Sequence, residues 1–359
     1  MAQLRSYLAW PGAPLAIASA ALFGASTPLA KALLGGGVSP WLLAGLLYLG
    51  SGIGLAILHY GRRGLGRTSA EAPLARRDWG WMALVVLSGG VAGPVLLMLG
   101  LSTTPASSAA LLLNVEGLAT MGIAWLVFRE NVDRRLLLGA AAILAGALLL
   151  SWTPGSGFAG VGVGALLIAG ACLAWGIDNN LTRKVSASDP VQIAMIKGLV
   201  AGAVNLGLAL AVGARLPEAG LLAGAAAVGF LGYGVSLVLF VLALRHLGTA
   251  RTGAYFSTAP FIGTLLAVFM FAEPISWRLV AAALLMGVGL YLHLVERHDH
   301  EHEHPPLDHE HPHRHDEHHQ HRHAARDPAE APHTHRHRHD RLVHGHPHYP
   351  DLHHRHEHS

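Results

Sequence analysis

The sequence predicts an all-α membrane protein of ten transmembrane helices, arranged as two inverted five-helix repeats and followed by a disordered, histidine-rich cytoplasmic tail. Three observations support this fold class. Of the 359 residues 52% are hydrophobic, one pattern of residues recurs at a fixed offset, and 23 of the 26 histidines follow residue 295. We therefore expect a first repeat at 1–152, a second repeat at 160–295 and the tail at 296–359.

Ten apolar runs are long enough to form membrane helices, because about 20 residues at a rise of about 1.5 Å cross a hydrocarbon core of about 30 Å. The predicted spans are 14–34, 41–60, 79–102, 105–128, 135–152, 160–181, 191–213, 220–243, 249–271 and 278–295. The only cysteine, Cys172, lies within the sixth span, so the chain has no disulfide framework of its own.

The repeat is clearest between residues 101–150 and 244–293, which align at an offset of 143 without a gap. The matched residues are Phe128, Glu130, Arg135, Leu136, Ala140 and Gly146 with Phe271, Glu273, Arg278, Leu279, Ala283 and Gly289. Each copy places a charged turn with an N-capping residue type, Asp133 or Ser276, between two apolar runs, which is the pattern of a helical hairpin. Because five spans separate the copies, and five is odd, they insert with opposite orientations.

Loops rich in arginine and lysine alternate along the chain with loops that contain few basic residues. The basic residues are concentrated after the second, fourth, sixth and eighth spans, whereas the opposite loops contain only Arg215 and Arg278. The positive-inside rule then places both termini in the cytoplasm.

These two hairpins, within ten spans in two halves, resemble the EamA branch of the drug/metabolite transporter superfamily over residues 14–295. The resemblance implies a secondary transporter of the inner membrane, often an exporter, that moves small organic solutes such as amino acids. Inverted repeats of this kind suit alternating access, with the substrate held where the halves meet. The resemblance does not fix the substrate, and homodimerisation stays open.

Glu116 is the principal candidate for a substrate or coupling residue. It lies close to the expected midplane of the fourth span, where a carboxylate is costly and is therefore a functional hypothesis by default. It could exchange a proton during transport or bind a cationic substrate. The alternative is a structural carboxyl group hydrogen-bonded between helices, with Asn114 nearby.

Further polar residues are candidates for the same site. Asp178 and Asn179 lie near the cytoplasmic end of the sixth span and Lys197 enters the seventh from the same side, so that Asp178 and Lys197 form an ion pair or line the cytoplasmic mouth. Tyr255 could supply a hydrogen bond. Glu130 and Glu273, at span ends, are interpreted as markers of the helical turn rather than as ligands.

The tail consists of His-x-His strings separated by acids, arginine and proline, a composition that predicts disorder. Imidazole binds Zn²⁺, Ni²⁺, Co²⁺ and Cu²⁺, so the strings predict divalent metal binding, although no metal is required as a cofactor. The competing interpretation is a pH sensor that docks on anionic lipid when protonated. The candidate ligands are His298, His300, His302, His304, His309, His311, His313, His315, His333, His335, His337 and His339.

Three functions remain open at this stage: a transporter of a small metabolite with a metal-binding tail, a divalent metal transporter whose tail captures its cargo, and a metal store anchored by its helices. The lipid bilayer, a small molecule and divalent ions are the expected partners. No phosphate-binding loop and no nucleophile–base pattern occurs, so neither an enzyme nor a nucleic-acid-binding protein is expected.

Overall fold

The computed structural model describes residues 12–65, 73–128, 134–152, 161–182, 184–185, 188–294, 301–304, 307–313, 333–339 and 342–345. In the first half the helices are α1 (Gly12–Gly35), α2 (Pro40–Gly64), α3 (Trp79–Val85), α4 (Gly93–Thr103), α5 (Ala106–Leu112), α6 (Val115–Phe128) and α7 (Arg134–Ser151). In the second they are α8 (Val163–Thr182), α9 (Pro190–Ala211), α10 (Ala219–Val228), α11 (Ser236–Phe256), α12 (Ala259–Phe271) and α13 (Trp277–Leu294).

Eight of the ten predicted spans correspond to helical segments that are long and apolar enough to cross a membrane. The predicted ninth and tenth spans correspond to shorter apolar helices, Ala259–Phe271 and Trp277–His293. The ninth is short because a turn at 257–258 divides the apolar run, and the helix before that turn is continuous with the end of the eighth. Of the ten predicted spans, eight are therefore long enough as helices to cross a membrane, and the ninth and tenth are shorter than predicted.

One π-helical segment interrupts the third span of each half. The first covers Val86–Ala92, between α3 and α4, and the second covers Gly229–Val235, between α10 and α11. They begin 143 residues apart, the offset of the sequence repeat. A π-helical turn shifts the hydrogen bonds from i−4 to i−5 and leaves carbonyl groups available to other partners.

The next span of each half is also broken near an equivalent point. A turn at 113–114 separates α5 from α6, and a turn at 257–258 separates α11 from α12. The first break is followed at once by the charged residue Glu116 and the second by Ala259 and Pro260.

Packing is reciprocal between the halves. Helix α1 packs against α11 and α12 of the second half, and its counterpart α8 packs against α4 and α6 of the first. Helices α2 and α9 pack together, as do α7 and α13. This exchange of contacts is what two copies related by an approximate two-fold axis produce.

Helices α7 and α13 are equivalent helices of the two halves, and glycines allow their backbones to approach closely. A Cβ at Gly139 on α7 would lie 2.8 Å from the carbonyl oxygen of Gly289 on α13. Likewise, a Cβ at Gly146 would lie 3.0 Å from the carbonyl oxygen of Ala282. Since Gly139 corresponds to Ala282 and Gly146 to Gly289 at the 143-residue offset, the two contacts are images of each other. Close packing of this kind stabilises pairs of membrane helices. Their association depends on van der Waals contact, because the surrounding lipid is itself apolar and no hydrophobic effect drives the helices together.

Side-chain caps fix several helix starts. The hydroxyl of Ser276 accepts a hydrogen bond of 3.2 Å from the amide of Leu279, as its residue type predicts, while Asp133 lies outside the described residues. The Asp189 carboxylate caps α9, accepting from the amide of Val191 at 2.8 Å.

Within the described part of the tail, for which the sequence predicts disorder, the chain forms four short strands. They are β1 (Glu301–His304), β2 (Leu307–His313), β3 (His333–His339) and β4 (Leu342–Gly345), with β1 antiparallel to β4 and β2 antiparallel to β3. In β1, β2 and β3 histidine alternates with other residues, which is the two-residue period of a strand.

Candidate functional site

Glu116 lies in the first turn of α6, immediately after the break at 113–114. The turn is closed by backbone hydrogen bonds from the amides of Asn114 and Glu116 to the carbonyl oxygens of Leu111 and Leu113, at 3.1 and 3.0 Å. The positive end of the helix dipole at this new start favours a carboxylate. The side chain is half-buried, and its Oε1 accepts a hydrogen bond of 2.9 Å from Nδ2 of Asn179. Glu116 belongs to the first half and Asn179 to the second, so this bond joins the two halves.

Thr120 completes the contact one turn further along α6. Its Oγ1 lies 3.2 Å from Nδ2 of Asn179, and its carbonyl oxygen accepts a hydrogen bond of 3.1 Å from Nδ2 of Asn180. The helices can approach because α8 has Gly176 here, where a Cβ would lie 2.9 Å from Ala119. The amides of α8 therefore hold α6 in a fixed rotation beside Glu116.

Asp178 and Lys197 form a buried ion pair between α8 and α9. Only 7% of the Asp178 side chain and 14% of the Lys197 side chain are exposed. Thr182 donates a further hydrogen bond of 3.3 Å to the other carboxylate oxygen. Of the two arrangements considered from the sequence, the structure contains the ion pair. Opposite charges in a low-dielectric site compensate each other's desolvation cost.

The first π-helical segment lies against this ion pair. The Asp178 carboxylate occupies the space beside Gly89 in which a Cβ would otherwise lie. The carbonyl oxygen of Gly89 accepts hydrogen bonds from the Tyr48 hydroxyl at 2.7 Å and from Nε1 of Trp175 at 3.0 Å. The carbonyl of Gly90 accepts from Nδ2 of Asn205 at 3.1 Å. Side chains of three other helices thus hold the carbonyls of this segment.

Aromatic rings extend the site towards the second π-helical segment. The ring centroids of Tyr48 and Tyr233 are 5.5 Å apart, and those of Phe23 and Tyr233 are 6.0 Å apart. Tyr233 belongs to the second π-helical segment and Tyr48 donates to a carbonyl of the first, so the Tyr48 ring lies between the two segments.

Asn114 and Tyr255 do not join Glu116. The Asn114 side chain is buried and donates to the carbonyl oxygen of Leu111 at 2.8 Å, with the sulfur of Met286 at 3.8 Å. Tyr255 is half-buried at the end of α11, and its carbonyl oxygen accepts from the Thr258 hydroxyl at 2.6 Å. Both residues stabilise helix breaks in this structure.

At the opposite end of the bundle, two charged residues cap helix ends. Lys31 donates to the carbonyl oxygens of Leu101 at 2.5 Å and Thr104 at 2.9 Å, where α4 ends. The carboxylate of Glu273 accepts from the amides of Ala106 at 2.8 Å and Ser107 at 3.1 Å, where α5 begins. This geometry agrees with the interpretation of Glu273 as part of the helical turn; Glu130 lies outside the described residues.

The predicted metal ligands lie apart from this cluster. Among the described residues of the helical part, no group of three or more histidine, cysteine or acidic side chains could hold a metal ion. His298, His300 and His315 lie outside the described residues. The other predicted ligands belong to β1, β2 and β3.

The sequence profile of the EamA-like transporter family matches the chain twice, over residues 10–152 and over residues 162–295. The chain belongs to the EamA-like transporter family. As a member of this family it is a multi-pass membrane protein embedded in a lipid bilayer.

Individual relatives agree with the family. An uncharacterized transporter of Methanothermobacter thermautotrophicus (strain Delta H) is 31% identical to this EamA-like protein over 229 residues. The alignment covers 62% of this chain and 66% of the relative, so the chain spans just under two thirds of that protein. A solved crystal structure has a TM-score of 0.58 to this fold at 19% identity, and the alignment covers 78% of this chain and 94% of the other. At that identity the likeness concerns the fold alone.

Sequence reasoning missed several residues of the site in this EamA-like transporter. Tyr48, Trp175 and Asn205 bind the π-helical carbonyls, and Thr120 supports the Asn179 contact. The Gly89-Gly90 pair, with Pro94 shortly after it, was the available signal that this span is irregular. It could not show which distant side chains would bind the freed carbonyl groups.

Proposed function

We propose that this EamA-like protein is a secondary transporter that moves a small organic solute by alternating access, with the Glu116–Asn179 contact at its substrate or coupling site. The observation that carries the proposal is that this contact joins the two halves through a half-buried carboxylate. A group in that position changes its surroundings whenever the halves move relative to one another.

The neighbouring groups support an organic cargo rather than a divalent ion. The cluster contains two carboxylates, and Lys197 neutralises that of Asp178. Glu116 therefore keeps a neutral amide, that of Asn179, as its partner, and the same amide also donates to the Thr120 hydroxyl, so these groups suit hydrogen bonding to a polar solute. A path for divalent ions would instead need several anionic or imidazole ligands at one point.

Export and an inner-membrane location with both termini in the cytoplasm belong to the same proposal. Their support is the concentration of arginine in alternate loops and the resemblance to transporters that are often exporters.

Uptake by proteoliposomes containing the purified full chain tests the role of Glu116. We would use a panel of radiolabelled amino acids, with and without an imposed pH gradient. Glu116→Gln is expected to abolish uptake that the unchanged protein catalyses, because the amide cannot ionise. Glu218→Gln is the matched control, since Glu218 is exposed just before α10 and makes no side-chain capping bond. Uptake by Glu116→Gln at the unchanged rate and with the same pH dependence would remove Glu116 from this role.

We further propose that the histidine-rich tail binds divalent metal ions and buffers or senses them. The support is compositional: imidazoles recur at every second position in several strings. The alternative, in which the tail captures metal as cargo, is tested by cellular accumulation of Ni²⁺, Zn²⁺ and Co²⁺ with the full chain, with a truncation after Arg297, and with Glu116→Gln. A metal cargo requires Glu116→Gln to change accumulation, whereas a buffer requires only the truncation to change it.

A further inference from the structure

The strands of the tail bring two separate histidine strings into register. In the antiparallel pair β2–β3, the Cα partners of His309, His311 and His313 are His337, His335 and His333. Histidine therefore stands opposite histidine at three successive positions of one face, because residues two apart in a strand share a face. The sequence alone predicts that the histidine strings bind divalent metal, and the register adds that two strings stand opposite each other.

The other face explains why this register is favourable. Asp308 is the partner of Arg338, and Glu310 is the partner of Arg336. Opposite charges directly across an antiparallel pair stabilise it, whereas a slip by one residue would place histidines opposite these charged residues. The register thus combines acid–arginine pairs on one face with histidine pairs on the other.

The dimensions of such a ladder suit a transition-metal ion. Residues directly opposite each other have Cβ atoms about 4.5–5.5 Å apart, and imidazole nitrogens bind Zn²⁺ at about 2.0–2.1 Å. Two adjacent histidine pairs provide four imidazoles, the number of ligands in a closed tetrahedral zinc site. A two-stranded ladder alone is only marginally stable in water, so an ion shared by both strands would supply much of its stability.

We propose that β2 and β3 form one divalent transition-metal site between the histidine pairs His309/His337 and His311/His335, and that the bound ion holds the two strands together. The inference rests on the proposed metal binding by the tail and deepens it by naming the ligand set. A single ion then joins two strings that are far apart in the sequence, so that metal occupancy changes the shape of the tail.

The first test measures Zn²⁺ affinity by chelator competition at pH 7.5 on the full chain in detergent. The variants are His309→Asn/His311→Asn in β2, His335→Asn/His337→Asn in β3, and the combination of all four. For a shared site, each double substitution weakens the tightest site by at least about tenfold, and the combination weakens it no further. His321→Asn/His323→Asn, with the same spacing outside β2 and β3, is the matched control and should leave the tightest site unchanged.

The outcomes separate the two proposals. If the unchanged protein binds no Zn²⁺, metal binding by the tail fails as a whole. If it binds Zn²⁺ but either double substitution leaves the tightest affinity unchanged and only the combination weakens it, each string binds its own ion and only the shared site is overturned.

A second test follows the strands themselves. Glu310→Cys and Arg336→Cys place spin labels at opposed positions on the face without histidines, in a Cys172→Ala background. Zn²⁺ is expected to shorten the distance between the labels, and the effect should disappear when His335→Asn/His337→Asn is added. The same response to Zn²⁺ with and without those substitutions, or no response in either, overturns the proposal.

Discussion

Glu273 holds Ser107 through both of that residue's donors: its carboxylate accepts from the amide nitrogen at 3.1 Å and from the hydroxyl group. Glu273 follows α12 in the second half, whereas Ser107 lies in the first turn of α5 in the first half. A carboxylate from one half thus caps a helix of the other, and the free amides of that helix start are satisfied.

We therefore expect Glu273→Ala to destabilise the protein by about 1–2 kcal/mol, because a charged cap and its hydrogen bonds are lost. The measurement is thermal unfolding in detergent, read as a lower midpoint temperature. Glu218→Ala is the control, since Glu218 also precedes a helix but makes no side-chain capping bond. Equal midpoints for the two variants would show that the cap contributes nothing.

Breaking the Asp178–Lys197 ion pair on one side should be severe. Lys197→Met leaves the Asp178 carboxylate buried without its partner, and the loss of one member of a buried pair costs about 3–5 kcal/mol. We expect little folded protein from Lys197→Met by size-exclusion chromatography, and recovery when Asp178→Asn is added. Lys184→Met, at an exposed position, is the control. Failure of the double variant to recover would mean that more than charge balance is required.

The contact between α7 and α13 should tolerate no side chain at Gly289. A Cβ there would lie 2.5 Å from the carbonyl oxygen of Gly139, so the helices must separate. We expect Gly289→Ala to lower the midpoint of unfolding, with a cost of about 1–3 kcal/mol from overpacking. Gly287→Ala, two residues earlier on the same helix, meets nothing within 4 Å and should be harmless. Similar midpoints for both variants would contradict this helix contact.

Metal binding by the tail should be lost in acid. Binding needs neutral imidazole, and free histidine is protonated below about pH 6.5, so affinity is present above that pH and falls as pH decreases through it. Zn²⁺ titrations of the full chain at pH 7.5 and pH 5.5 should show strong and weak binding, respectively. The truncation after Arg297 is the control and should bind weakly at both values. Binding at pH 5.5 as strong as at pH 7.5 would point to carboxylates instead of histidines.

The sequence by itself determined the apolar helices, the repeat and the family. Long apolar runs leave few alternatives to membrane helices, because backbone groups in lipid must be satisfied within the segment. The 143-residue offset was visible in residues such as Glu130 and Glu273, and the cap at Ser276 followed from its residue type. These features are local or periodic along the chain.

The tertiary structure alone decided which side chains meet. The apolar surroundings of Glu116 in the sequence made it a candidate, and its closeness in sequence suggested Asn114 as its neighbour. In the structure the Asn114 side chain donates to the carbonyl oxygen of Leu111, and Asn179 of the other half donates to Glu116 instead. Likewise, the sequence shows a glycine at position 89, but it does not show that Tyr48 and Trp175 donate hydrogen bonds to the carbonyl oxygen of Gly89. The physical reason is that such contacts depend on the rotation and depth of each helix against its neighbours. Glycine contacts and π-helical turns set that rotation, and they act between residues far apart in the sequence.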